Sequence, residues 1–161
     1  MHVDASGWNL IMKKILIVCL GNICRSPTAE AVLKAKALQR GSQFEIDSAG
    51  TAGYHIGNPP DKRSQAAALK RGYSFEGIRS RQVNAHDFEY FDLILAADKA
   101  NLADLTALCP AHLQYKLSLF LAYGTCVDEI PDPYYGGENG FEQVLDLIED
   151  ASDKILDTLQ K

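Results

Sequence analysis

Several things are missing or scarce in this chain, and each absence closes a class of function. No apolar run approaches the ~18–20 residues that a membrane span needs. The four cysteines, Cys19, Cys24, Cys109 and Cys126, are few for a disulfide framework in 161 residues, and no secretory pattern is read. A reducing, cytoplasmic setting is therefore the expectation. The cysteines also lack C-x-x-C spacing and have no histidines at zinc-ligand intervals, which argues against a metal site. Positive charge is in deficit, 16 Lys and Arg against 21 Asp and Glu, so a general nucleic-acid binder with a basic face is not indicated. Any anionic ligand must then be held by a local positive site rather than by the field of the whole protein. There is no internal repeat, low-complexity tract or linker, and an apolar content of 47 % is ordinary for one globular domain.

What the chain does have is concentrated in one segment. Cys19-Leu20-Gly21-Asn22-Ile23-Cys24-Arg25-Ser26 places five residues between a cysteine and an arginine, directly after the apolar run Ile15-Leu16-Ile17-Val18. The run reads as a buried strand, and Pro27-Thr28-Ala29-Glu30 reads as the first turn of a helix. A loop that ends at a helix N-terminus offers free N–H groups and the positive end of the macrodipole to an anion. The same groups, with Arg25, favour the thiolate of Cys19. The segment therefore describes a phosphate cradle with a nucleophile at its floor. C-x5-R alone recurs by chance, and its place between a strand and a Ser-Pro helix start is what gives it meaning. In this reading Gly21 lets the backbone approach and take an unusual φ, Asn22 tolerates a positive φ, Ser26 caps the helix and donates to the sulfur, and Pro27 sits at the first helical position.

Elsewhere the pattern alternates strands with helices. Residues 14–20 form strand one, 27–40 a helix stopped by Gly41, and 44–48 strand two. Residues 49–60 are a glycine-rich loop returning toward the end of strand one. Residues 61–71 form an alanine-rich helix closed by Gly72, 91–97 a buried strand, and about 98–108 a helix ended by Pro110. Leu113–Leu119 fits a fourth strand, and a helix through Leu121 fits almost as well. Phe141, Val144, Leu145, Ile148, Ala151, Ile155 and Leu159 recur at helical spacing, so 140–160 is an amphipathic helix. Such an α/β order implies a parallel sheet covered on both faces, with ligands bound beyond the carboxyl ends of its strands, where Cys19–Arg25 lies. Residues 1–12 show no period, and Met12-Lys13-Lys14 is a second plausible chain start. We read 1–12 as an N-terminal extension and 13–161 as the domain.

An acid for the leaving oxygen must come from outside the loop. Asp132, between Pro131 and Pro133, has a restricted backbone, and a carboxylic acid beside a bound dianion keeps its proton more readily. Tyr134 and Tyr135 can form an aromatic wall for the leaving group. Pro-Asp-Pro is also simply a good turn. His55, His86 and His112 read as surface or packing residues.

The two segments together, Val18–Pro27 and Asp132-Pro133-Tyr134-Tyr135, resemble the low-molecular-weight protein tyrosine phosphatases, and the likeness extends through Ile46-Asp47-Ser48 and Arg81-Gln82-Val83. The resemblance implies a single-domain, four-stranded parallel sheet of the phosphotyrosine protein phosphatase I-like fold, with no metal and no cofactor. It implies Cys19 as nucleophile forming a cysteinyl-phosphate, Arg25 as clamp, and Asp132 as acid and then base. It further implies Leu20, Gly21, Asn22, Ile23, Cys24 and Ser26 as the phosphate-binding loop, Ser48 as loop support, and Tyr54 on the substrate wall. Some members carry a histidine shortly before Arg-Gln-Val that supports the asparagine network; here Ile78-Arg79-Ser80 stand there, so support must come from elsewhere or be absent.

Tyrosine-phosphorylated proteins are the expected substrates, with a tyrosine kinase as a possible partner and a monomer or weak dimer as the expected state. Close relatives hydrolyse phosphoarginine and tend to carry threonine at the position of Ile23, whose bulk here favours an aryl phosphate. Others reduce arsenate with two further cysteines close together, whereas Cys109 and Cys126 are seventeen apart. A non-catalytic phosphate-binding module would be credible only without Cys19, Arg25 or Asp132. Cys24 is either a small apolar filler or a redox guard that captures oxidised Cys19 as a disulfide.

Overall fold

A computed structural model describes residues 13–124, 127–133 and 139–160. Its sheet has four strands: β1 (Lys13–Cys19), β2 (Phe44–Gly50), β3 (Leu93–Ala96) and β4 (Leu117–Leu119). They are all parallel, in the order β2-β1-β3-β4. β1 is central and its Ile15–Val18 are wholly buried, each such side chain contributing about 1.5–3 kcal/mol relative to exposure. That double-sided burial is why its sequence is a continuous apolar run rather than an alternation.

Among the described residues five α-helices cover the sheet: α1 (Arg25–Gln39), α2 (Lys62–Lys70), α3 (Ala85–Tyr90), α4 (Lys99–Leu108) and α5 (Gly140–Leu159). Ile15, Ile17 and Cys19 face the core shared by α1, α2 and α5. Leu16 and Val18 face the smaller core with Phe88 of α3 and Leu105 of α4. The chain leaves β1 for β2 on one side and returns to β3 on the other, so the switch point lies at the carboxyl end of β1. No helix of the described residues is long and apolar enough to cross a membrane.

The helix stops at Gly41 and Gly72 are as read. Both are left-handed (φ 69° and 89°), and Ser42 N→Ala37 O (2.9 Å) and Tyr73 N→Ala68 O (3.1 Å) close Schellman turns. β2 continues to Gly50, and the third strand is shorter than the apolar run 91–97. Leu113–Leu119 resolves as neither single alternative. A 3-10 turn over Ala111–Lys116 precedes a three-residue strand, and a second 3-10 turn follows over Phe120–Tyr123. α3 was not read from periodicity because six residues are too few to show one. Its signal is the capping box, in which Asn84 accepts from Asp87 N (3.2 Å) and Asp87 from Asn84 N (2.8 Å).

Candidate active site

β1 delivers Cys19, 3 % exposed, to the carboxyl edge of the sheet, and the loop that follows turns back over the sulfur. Asn22 takes φ 56°, the positive value expected of it. Gly21 does not have the unusual φ expected. A Cβ there would instead lie 3.0 Å from Cδ2 of His55, so the glycine serves close packing. Nor does Ser26 cap the helix. Cys24 holds the N-cap position without a side-chain bond, Ser26 lies inside α1, and Pro27 is third rather than first. Pro27 still forfeits nothing, since first-turn N–H groups have no intrahelical acceptor.

Freed from capping, the Ser26 hydroxyl turns to Cys19. Its Oγ lies 3.1 Å from Cys19 Sγ, which also receives the Asn22 N–H at 3.3 Å. Asn22 Nδ2 donates to Ser26 Oγ (2.8 Å) and to Ser48 Oγ (2.9 Å), while its Oδ1 accepts from Arg81 N (2.9 Å). Toward a thiolate, which has no hydrogen to give, the Ser26 hydroxyl is the donor. The chain of bonds ends on Glu30, a buried carboxylate that accepts from Ser48 Oγ (2.5 Å) and Lys34 Nζ (2.5 Å). Burial pushes the Glu30 carboxyl up from its ordinary value, and Lys34 and Ser48 pull it back. The support missing from the histidine position is thus supplied elsewhere: Ile78 is core, Arg81 lends its N–H, and Ser80 Oγ donates to Gly21 O at 3.0 Å. Gly50 permits the loop to lie over β2, because a Cβ there would be 2.7 Å from Leu20 O.

Arg25 opens α1 and points toward the same cavity. Its Nη1 donates to Asp98 Oδ2 (2.8 Å) and to Ile130 O (2.9 Å). Asp98 is itself fixed at the N-cap of α4, where Oδ1 accepts from Asn101 N at 2.7 Å. Sequence reasoning missed Asp98, Ile130, Glu30 and Lys34. Asp98 had a usable signal: it follows β3, beside β1, at the edge where the switch-point rule places ligands.

The cavity above Cys19 measures about 150 Å³. It is lined by Cys19 and the loop residues Leu20, Gly21, Ile23, Cys24 and Arg25, by Tyr54 and His55, and by Asp132 and Pro133. His55, read as a surface or packing residue, lines this cavity, and its ring stands edge-on to Tyr54 with centroids 6.4 Å apart. His86 and His112 are exposed, as expected. Tyr134, Tyr135 and Cys126 lie outside the described residues. Cys24 is buried with Sγ 2.9 Å from Ser64 Oγ, and burial pushes its thiol up to about 12. Cys109 is on the other side of the sheet, packed in the α3–α4 core. Among the described residues no group of three or more His, Cys, Asp or Glu is arranged to hold a metal ion.

Asp132 is held in place from the far side of its turn. Gly140, the first residue of α5, lies so close to Pro133 that a Cβ would collide with the Pro133 carbonyl. Gly140→Ala is expected to displace Pro133 and Asp132 together. Hydrolysis of esters with poor leaving groups should fall roughly ten- to hundredfold, with a stability loss of about 1–3 kcal/mol. A leaving-group series combined with thermal melts checks this, since a general destabilisation would slow all esters alike.

Comparison with known proteins agrees with this geometry. Residues 14–161 match the family model described as low molecular weight phosphotyrosine protein phosphatase. The chain is 40 % identical to the low molecular weight protein-tyrosine-phosphatase YfkJ of Bacillus subtilis, covering 93 % of this chain and 97 % of that one. It is 41 % identical to the human low molecular weight phosphotyrosine protein phosphatase, over 82 % and 86 % of the two chains. The crystal structure of a protein tyrosine phosphatase from Entamoeba histolytica with Hepes in its active site superposes with a TM-score of 0.88 at 42 % identity, covering 92 % of this chain and 97 % of that one. With a cysteine-floored cradle at the switch point and likeness along almost its whole length, this chain belongs to the low molecular weight phosphotyrosine protein phosphatase family.

Proposed function

We propose that Cys19, Arg25 and Asp132 carry out the phosphotyrosine hydrolysis that family membership gives this chain. Cys19 attacks phosphorus as thiolate: the S–P bond forms, the ester P–O bond breaks, and the leaving oxygen takes the proton of Asp132. In the second step Asp132, now a carboxylate, takes a proton from the attacking water. The P–S bond breaks, and the Ser26 hydroxyl donates to the departing sulfur. Asp98 and Ile130 occupy the two Nη1 hydrogens of Arg25, which leaves the Nε–Nη2 edge to grip two phosphoryl oxygens. Leu20 to Ser26 cradle the remaining oxygens, Ser48 keeps Asn22 in place, and Tyr54 with Tyr134 and Tyr135 flank the aryl group.

The observation that carries this reading is the Cys19 sulfur, 3.1 Å from Ser26 Oγ and 3.3 Å from Asn22 N, beneath a cavity shared by Arg25 and Asp132. Ile23 in its lining suits a flat aryl ring better than a guanidinium. Hydrolysis of phosphotyrosine and of a small aryl phosphate, measured with chelator and without added metal, tests it. A chain that binds phosphate but turns over neither would be a binding module.

The domain comprises 13–161, with 1–12 as an extension. The enzyme acts in the cytoplasm on tyrosine-phosphorylated proteins, opposing a tyrosine kinase, as a monomer or weak dimer. Cys24 acts as a redox guard: peroxide converts Cys19 to sulfenic acid, Cys24 attacks that sulfur, and water leaves as the disulfide forms. Cys24 stays protonated through the neutral range, so the capture should quicken as pH rises. After equal peroxide exposure, wild type should recover most activity with a dithiol, and Cys24→Ser markedly less. Equal recovery with no Cys19–Cys24 linkage by mass spectrometry would reduce Cys24 to packing.

A further inference from the structure

Beside the catalytic cavity runs a second, larger one of about 640 Å³, between the segment Val127–Pro131 and α5. Its apolar surface is Val127, half exposed, with Pro131 and Leu147. Its rim is acidic: Asp128 and Glu129 on the segment, Asp146 on the helix. The Asp128 and Asp146 side chains are 60 % and 69 % exposed. The bases that touch this rim do not neutralise it. Lys99 pairs with Asp128 at 3.3 Å, and Arg71 is shared among Glu142, Asp146 and Glu149. Carboxylates of this group outnumber the two bases five to two.

The groove adjoins the catalytic cavity along the chain. Pro131 lines it, and the next residue, Asp132, lines the catalytic cavity, with Cα atoms about 3.8 Å apart across the bond. A flanking chain that leaves the cradle past Asp132 meets Pro131 next. That proline has no N–H to offer, so recognition there falls to side chains rather than to strand pairing.

We propose that this groove docks the chain flanking the phosphotyrosine of a protein substrate, and that it selects a flank combining a lysine or arginine with an apolar side chain. The proposal rests on the phosphotyrosine reading above and adds the substrate class. The cation satisfies the rim while the apolar group covers Val127, Pro131 and Leu147. Other occupants match less well. Residues 1–12 contain no lysine or arginine, and a second copy brings a net charge of −5 toward an acidic rim.

The test is kcat/KM on phosphotyrosine peptides of equal length whose flanks are Lys-Leu, Ala-Ala or Glu-Ala. Wild type should prefer Lys-Leu over Glu-Ala by roughly tenfold, and the preference should shrink as salt approaches 1 M. Asp128→Lys with Asp146→Asn should flatten the series while leaving hydrolysis of a small aryl phosphate, which does not reach the groove, unchanged. Asp128→Lys alone, at an exposed side chain, gives the same reading if the Arg71 contact proves needed for folding. A flat series in wild type overturns the proposal, as does an equal loss on the small ester. Deletion of residues 1–12 that raises turnover of all peptides alike, or a variant that dissociates a dimer, assigns the groove to another occupant and likewise overturns it. Failure of wild type on every aryl phosphate would instead refute the phosphatase reading.

Discussion

Cys19→Ser is expected to abolish turnover. A serine hydroxyl is a far weaker nucleophile than a thiolate, and Cys24, the other thiol lining the cavity, is paired with Ser64 and pushed by burial up to about 12. The drop should be at least ~10³-fold, the scale on which hydrolases respond to loss of their nucleophile. Binding of inorganic phosphate should survive, because Arg25 is held by Asp98 and Ile130 rather than by the sulfur. Metal-free hydrolysis and calorimetric titration with phosphate read the two effects apart. Residual activity above a few per cent of wild type, with contamination excluded, would remove Cys19 from the nucleophile's role. Loss of both properties would point to a collapsed loop and call for a thermal melt.

Asp132→Ala should produce a loss that depends on the leaving group. Donation of a proton to the ester oxygen typically contributes ~10²–10⁴-fold, and an activated aryl ester with an acidic phenol needs little of it. Tyrosyl and alkyl phosphates should therefore slow far more than the activated ester, and the slope of log kcat against leaving-group pKa should steepen. The geometry allows this, since Asp132 lines the same cavity as Cys19 and Arg25. An equal loss across the series would return Asp132 to the role of a turn residue between two prolines.

The nucleophile loop was legible because its constraints are local. A strand end, a cysteine, a residue able to take a positive φ and a helix start lie within ten consecutive positions, and φ 56° at Asn22 follows from its residue type. The helix ends at Gly41 and Gly72 were legible for the same reason. Long amphipathic α5 showed its face through period alone. The expected serine cap failed because a hydroxyl at a helix start has more than one acceptor or donor within reach. Local preference favours the backbone, but the buried sulfur and Asn22 Nδ2 compete for it and win.

What the chain's order of residues determined by itself is the family, the α/β class and the loop after β1, because each shows in short motifs and in the order of local patterns along the chain. What only the tertiary structure decided is how those groups are aimed. Asp98 meets Arg25 across 73 positions and Ile130 across 105, Ser48 meets Asn22 across 26, and Arg81 meets it across 59. His55 reaches Gly21 only because the loop after β2 folds back over β1, where Thr51 N bonds Cys19 O at 2.9 Å. Such pairings arise from strand order and sheet register. A hydrogen bond between distant residues leaves no periodicity or spacing along the chain by which it could be read in advance.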